Sequence, residues 1–341
     1  MLRAGIINVT GYAGVEIARI LARHPEVEIS TVTGRSSAGK NLGEIFPHLS
    51  ELDLTITEDL TESVDVLFSA LPHAAGAIKL TSMLDDGVKV IDVSADFRLK
   101  NSSEYKEWYG IDHPCPEYLD EAVYGLTELN RNMVSSARLV ANPGCYPTAS
   151  ILALAPAIQA GIIKPDIVID AKSGVSGAGR GKYPFADTNE NLMAYSVAGH
   201  RHMPEIKQEL NNLDDSVDLN ITFLTHLVPM NRGILVSCYA HINDEKVSGS
   251  EINSQIRSIY EDFYGRELFV EVSDSPPMTK NTLGTNKCMI FPSVDLRSGR
   301  LIVVSCIDNL IKGAAGQAIQ NMNLIFNLPE DMGLNGLALY P

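Results

Sequence analysis

Short β-branched runs alternate with amphipathic stretches over the first part of the chain. Residues 2–9 read as a buried strand, and 14–23 follow with Val15, Ala18, Ile20 and Leu21 spaced along one helix face. Pro25 stops that helix, because the ring disfavours helical geometry in the residue before it. The pattern then predicts strands at 29–33, 64–71 and 88–93, a Gly/Ser turn at 34–39 and a helix over 76–84. Strands separated by helices imply parallel pairing with crossovers, the doubly wound α/β class.

After about residue 145 the rhythm changes. A helix at 148–160 leads to a strand at 167–171 and a long polar loop at 172–191. Strand-like runs at 218–227, 233–242, 268–272, 287–296 and 300–307 mostly lack helices between them, so the second half reads as α+β around a mostly antiparallel sheet. Helices are expected at 250–264 and, as a final amphipathic segment, at 313–326.

A length of 341 residues, 45% of them apolar, suits two domains with proper cores. With 27 Lys+Arg against 42 Asp+Glu the net charge is −15, which disfavours binding to nucleic acid or an anionic membrane. No apolar run approaches the roughly 20 residues of a membrane span, and the apolar start is too short for a signal peptide. Five scattered cysteines form no CxxC pair and no disulfide framework, so the chain is expected in a reduced cytoplasm.

Between the first strand and first helix lies Asn8-Val9-Thr10-Gly11-Tyr12-Ala13-Gly14. Glycines there allow a tight turn and close approach of a pyrophosphate, whose charge suits a helix N-terminus. A plain turn is the competing reading. The second strand ends in Thr33-Gly34-Arg35-Ser36-Ser37 and not in the acidic residue that would hold a ribose hydroxyl. A guanidinium beside hydroxyls suits a 2′-phosphate, so NADP(H) is favoured over NAD; a solvated loop arginine is the lesser alternative for Arg35.

Asn142-Pro143-Gly144-Cys145-Tyr146-Pro147-Thr148 places one cysteine in a Pro/Gly turn ahead of an apolar helix. Unpaired backbone N–H groups and the helix dipole favour a thiolate there and could hold an oxyanion. Cys238, Cys288 and Cys306 lie in apolar strands and read as core; Cys115, between prolines, reads as a loop residue. The segment Gly199-His200-Arg201-His202-Met203-Pro204-Glu205 offers imidazoles suited to proton exchange. Half a metal site is the alternative, but no matching ligand cluster accompanies it, and no metal is expected.

Taken together these residues resemble the N-acetyl-gamma-glutamyl-phosphate reductase family, the arginine-pathway branch of the semialdehyde dehydrogenases. The resemblance spans nearly the whole chain. Besides the stretches above it rests on Ala70-Leu71-Pro72-His73, Ser94-Ala95-Asp96-Phe97-Arg98-Leu99, Tyr124-Gly125-Leu126-Thr127-Glu128-Leu129 and Lys172-Ser173-Gly174-Val175-Ser176-Gly177-Ala178-Gly179-Arg180. His226-Leu227-Val228-Pro229-Met230-Asn231-Arg232-Gly233 and Asp308-Asn309-Leu310-Ile311-Lys312-Gly313-Ala314-Ala315-Gly316 complete it. The chain departs from the family at Asn8, where glycine is usual, at Thr127 for proline and at Met203 for threonine. Asn tolerates a positive φ better than most residues.

The resemblance implies a Rossmann-type NADP-binding domain at 1–144 plus about 313–341, and a catalytic and oligomerisation domain at 145–312. It implies that Cys145 attacks an acyl phosphate, expels phosphate and leaves a thioester that NADPH reduces to an aldehyde. A thiolate is both nucleophile and leaving group, so one residue serves both steps. His200 is the implied proton carrier, with His202 second and Glu205 orienting one of them. Arg98 resembles the arginine that grips phosphate in related enzymes, with an ion pair to Asp96 as its structural alternative. Arg201 and Arg232 are candidates for a substrate carboxylate. Thr10, Gly11, Tyr12, Ala13, Gly14, Arg35, Ser36, Pro72, Ser173, Gly174 and Asn309 would line the cofactor, and a homodimer or homotetramer is expected.

Two other enzyme readings and one non-enzyme reading compete. A lysine-pathway sister acts on aminoadipyl phosphate held on an acidic carrier, which the charge of −15 disfavours. Aspartate semialdehyde dehydrogenase shares the chemistry but lacks the His-Arg-His-x-Pro-Glu and Tyr-Gly-Leu patterns. A silent dinucleotide-binding regulator would need neither Cys145 nor His200.

Overall fold

The computed structural model describes residues 1–340. The chain divides into two compact units, Met1–Gly144 with Ala314–Gly336, and Cys145–Gly313 with residues 337–340. Residues 337–340, expected with the first domain, thus group with the second. There the Leu339 N–H donates to Leu283 O at 3.0 Å and its side chain lies against Gly284. Pro341 lies outside the described residues.

In the first unit seven strands pair in parallel: β1 Leu2–Ile7, β2 Val27–Thr33, β3 Ile56–Thr57, β4 Val66–Ser69, β5 Lys89–Asp92, β6 Val123–Tyr124 and β7 Leu139–Ala141. Their order is β3-β2-β1-β4-β5-β7-β6, so the winding reverses between β1 and β4. Open α/β sheets bind ligands beyond the carboxyl ends of strands at such a reversal. The helix Gly316–Ile325 returns to pack on β5 and on the helices Tyr12–Leu21 and Thr127–Ser136.

The second unit holds β8 Ile163–Gly174, β9 Met193–Tyr195, β10 Asn220–Val228, β11 Ile234–Ile242, β12 Val270–Val272, β13 Cys288–Asp295 and β14 Arg300–Ile307, ordered β12-β13-β14-β11-β8-β10-β9. Four of its pairings are antiparallel; β8–β10 and β12–β13 run parallel. One face, with Ile167, Ile169, Val236, Cys238, Ile290 and Val303, is buried, and the helix Cys145–Gln159 packs on its strands. That helix is buried nearly all round, which explains its apolar sequence.

Several expectations shift. The helix expected from 148 begins at Cys145 itself, so the cysteine is its first residue and not part of the preceding turn. The polar loop at 172–191 is largely structured: β8 runs on to Gly174, and short helices follow at Val175–Ala178 and Phe185–Thr188. Cys115 is buried in the core of the first unit. The helices Ser102–Tyr109, Thr127–Ser136 and His202–Asn211 carry too few apolar residues to show a stripe. Among the described residues no helix is long and apolar enough to cross a membrane.

Candidate active site

At the β1 end Asn8 takes φ +62°, the left-handed conformation a glycine would otherwise supply, and its Nδ2 donates to Ala70 O at 2.7 Å. The bond ties the loop after β1 to the loop after β4 at the winding reversal. Gly14 is sterically required, since a Cβ there would sit 2.4 Å from Asn8 O. Gly11 precedes the helix Tyr12–Leu21 with no side-chain cap, and Tyr12 and Ala13 open it. Thr10 lies against Gly34, while Arg35 and Ser36 are exposed in the turn after β2 and Pro72 is exposed after β4. The tight turn, uncapped helix start and solvent-facing guanidinium fit a phosphorylated dinucleotide.

Beyond β5 Arg98 lies in a buried polar cluster. Arg98 is 7% exposed; its Nε donates to Asn142 O and its Nη2 to Val93 O, both at 2.8 Å. Asp96 accepts from Ala74 N–H and the Tyr105 hydroxyl. Burial first, then the neighbouring Asp96 charge, pushes the Asp92 carboxyl up to about 6, although Ser94 Oγ donates to it at 2.6 Å. Asn142 is fully committed: its N–H donates to Asp92 O, its Nδ2 to Ala314 O, and its Oδ1 accepts from Asn321. Thr127 belongs to the same network, donating to Asn321 Oδ1 and accepting from Gln317.

In the second unit Cys145, partly exposed, opens its helix. Tyr146 is buried beside it, with its hydroxyl 3.0 Å from that of Tyr195 and donating to His226 O at 3.3 Å. His200 sits in an aromatic box, its ring edge-to-face with Tyr146, Tyr195, Phe223 and His202 at centroid separations of 4.8–5.7 Å. Burial, then the charges of Arg201 and Lys182, lower its pKa to about 4, so the ring is neutral at pH 7. Its Nδ1 accepts from the His202 N–H at 3.1 Å, which leaves the ring proton on Nε2. Burial lifts the Tyr195 phenol to about 12 and Tyr146 well above its ordinary range, and a charge on Cys145 raises both further. The thiol and the two phenols therefore share one electrostatic neighbourhood, and the imidazole packs against both phenol rings.

The remaining predicted residues frame this group. His202 and Glu205 begin the helix His202–Asn211, Glu205 buried and Arg201 exposed. Gly174 N–H donates to Gly233 O and Ser176 N–H to Asn231 O, joining two loops into one shelf. A Cβ on Gly174 would meet Asn231 O at 2.8 Å. Ser173 is buried at that shelf, and Asn309 fastens it by accepting from Gly233 N–H and donating to Ser176 Oγ. Arg232 lies 3.6 Å from the buried carboxylate of Asp308. Sequence reasoning missed Tyr146, Tyr195 and Phe223 as partners of the imidazole; only their apolar surroundings could have signalled them. Among the described residues no three His, Cys, Asp or Glu side chains are grouped to hold a metal.

Comparison with known proteins places both units. Residues 3–137 match the family described as semialdehyde dehydrogenase, NAD binding domain, and 145–309 that described as semialdehyde dehydrogenase, dimerisation domain. The N-acetyl-gamma-glutamyl-phosphate reductase of Dehalococcoides mccartyi is 55% identical over 99% of each chain. That of Heliobacterium modesticaldum is 46% identical over the full length of both. Aspartate semialdehyde dehydrogenase II of Vibrio cholerae shares the fold at a TM-score of 0.71, with 16% identity over 96% of this chain and 98% of that one.

Proposed function

Because the chain belongs to the N-acetyl-gamma-glutamyl-phosphate reductase family, we propose that Cys145 is its nucleophile and His200 its proton carrier. The protein is an NADP-dependent oxidoreductase that reduces N-acetyl-L-glutamyl 5-phosphate to the 5-semialdehyde and phosphate in arginine biosynthesis. The observation that carries the residue assignment is the neutral His200, its ring against Tyr146, which follows the cysteine that opens a buried helix.

The Cys145 thiolate attacks the acyl carbon, and the carbon–oxygen bond to phosphate breaks with its electron pair leaving on phosphate. A thioester remains. Thr10 to Gly14, Arg35, Ser36 and Pro72 would hold NADPH, which would supply the hydride that reduces the thioester. The oxygen of the resulting hemithioacetal is stabilised by the Nε2–H of His200. Re-formation of the carbonyl then expels the thiolate, releasing the aldehyde. A ring with a pKa near 4 acts here as a neutral donor, since it holds an added proton poorly. Arg201, exposed beside it, meets the anionic substrate, with Arg232 at the shelf as its partner. His202 and Glu205 orient the imidazole, Ser173, Gly174 and Asn309 would serve the cofactor, and Arg98, which holds the Asn142 carbonyl, would serve phosphate.

The second unit also supports a homodimer. The sheet face opposite the helices presents half-buried Val168, Tyr239, Ile302, Val304 and Phe291, an apolar surface that self-association would cover. The matching family is itself described as a dimerisation domain. Ile302→Glu should halve the mass seen by light scattering. Five cysteines without a disulfide suit a reducing cytoplasm.

The deciding assay gives the purified protein N-acetylglutamate semialdehyde, phosphate and NADP. Formation of reduced nicotinamide should require phosphate and vanish in Cys145→Ser, while that variant still binds NADPH. Activity only on a carrier-bound aminoadipate semialdehyde would move the chain to the lysine pathway. Turnover that survives Cys145→Ser would remove the nucleophile from the mechanism.

A further inference from the structure

Ile311–Ala315 forms a π-helical turn, a wide geometry that costs stability and recurs at functional sites. At its start the Gly313 N–H donates back to Asp308 O at 3.0 Å, the same five-residue spacing. The start of the turn is fixed by the Asp308 carboxylate, fully buried, which accepts from Leu310 N–H at 2.8 Å, Ile311 N–H at 3.1 Å and Gly284 N–H at 2.8 Å. Three backbone donors on one carboxylate leave the turn little freedom. Lys312 is also fully buried, with its ammonium over the Phe269 ring.

What the turn delivers is Gly313, set directly against Cys145. A Cβ at 313 would lie 2.8 Å from Cys145 Cβ, 3.2 Å from its Cα and 3.3 Å from Ile307 Cδ1. Rotating the cysteine side chain cannot relieve this, because χ1 leaves Cβ in place. Only a shift of the helix start at Cys145, or of the π turn, would make room; the first moves the thiol and the second moves the wall behind it. No positive φ is recorded at Gly313, so backbone conformation does not demand a glycine there.

We propose that Gly313 is a positioning residue for Cys145, and that the Asp308-anchored π turn holds it there as the back wall of the thiol. The kinetic part of this inference rests on Cys145 being the nucleophile; the steric part does not. Gly313→Ala should lower kcat about 100-fold, as expected for a reacting group displaced by about 1 Å, with KM for NADPH changed less than about twofold. The pH profile of Cys145 alkylation by iodoacetamide should move as well, which a merely structural lesion elsewhere would not cause.

The steric claim is tested by a double-mutant cycle on thermal stability. Gly313→Ala should lower Tm in the wild-type background and much less in Cys145→Gly, where the offending Cβ is gone. Gly336→Ala, at a glycine with open space around it, serves as the control and should leave kcat and Tm unchanged. If Gly313→Ala folds only in the Cys145→Gly background, the contact is established. Equal losses of stability or of folding in both backgrounds, or an unchanged alkylation profile, would overturn the proposal. Should Cys145→Ser retain turnover, the nucleophile reading fails, while the stability cycle still reports on the contact.

Discussion

The His202 backbone N–H donates to Nδ1 of His200 at 3.1 Å, and this bond between near neighbours sets the tautomer of the candidate proton carrier. With Nδ1 occupied as an acceptor, the neutral ring presents Nε2–H. Nitrogen-15 spectra should show the Nε2–H form, titrating near 4 and not near 6.5. Desolvation is the larger cause, with the Arg201 and Lys182 charges adding to it. Lys182→Met should therefore raise the His200 pKa, but only part of the way to its ordinary value. A midpoint above 6 in the wild type would mean that water enters the aromatic box.

Asp92 and His200 impose opposite pH slopes on the two units. The Asp92 pKa is raised from 3.8 to about 6 on folding, so between these values the folded first unit binds the extra proton. Its stability falls as pH rises through that window, by about 3 kcal/mol. His200 is lowered from 6.5 to about 4, so there the unfolded second unit binds the extra proton. Stability of that unit rises with pH over the same range. Trp108, the one tryptophan of the sequence, belongs to the first unit, so its fluorescence reports on that unit. Denaturant midpoints from Trp108 should fall between pH 4 and 6, and Asp92→Asn should flatten the trend.

Asn8 illustrates what a departure from a motif demands. Its φ of +62° and its 2.7 Å bond to Ala70 O do together what a glycine would do by freedom alone. Asn8→Gly exchanges the bond for conformational ease and should leave stability and NADPH affinity nearly unchanged. Asn8→Ala loses the bond and keeps the strain, at a cost of about 2 kcal/mol. NADPH binding by Asn8→Ala should weaken several-fold in a fluorescence titration. Equal affinity in both variants would show that the turn does not depend on this residue.

Much of this architecture was legible because its signals are local. The run at 300–307 is a strand over the very residues its β-branched pattern marks, and the proposals for Cys145 and His200 start from their immediate neighbours in sequence. The helix His202–Asn211 was not legible, because its few apolar residues show only when packed. The contact between Gly313 and Cys145 was beyond reach for a different reason: it joins two segments far apart in sequence, and a glycine leaves no pattern of its own. Likewise Arg98 reads in sequence as a phosphate fork, and only the fold shows two of its nitrogens turned to main-chain carbonyls.

That geometry yields a discriminating experiment. Arg98 holds Asn142 O and Val93 O at 2.8 Å each, and Asn142 stands three positions before Cys145 in the sequence. If the guanidinium acts as a clamp, Arg98→Lys removes the planar fork and leaves at least one buried carbonyl poorly satisfied. The first-unit transition should then lose about 2 kcal/mol, read from Trp108 fluorescence, and kcat should fall while KM for phosphate in the reverse reaction stays within about twofold. A phosphate-gripping Arg98 would instead raise that KM at least tenfold with little loss of stability. The first outcome assigns substrate phosphate to other cations, with Arg201 and Arg232 the next to test.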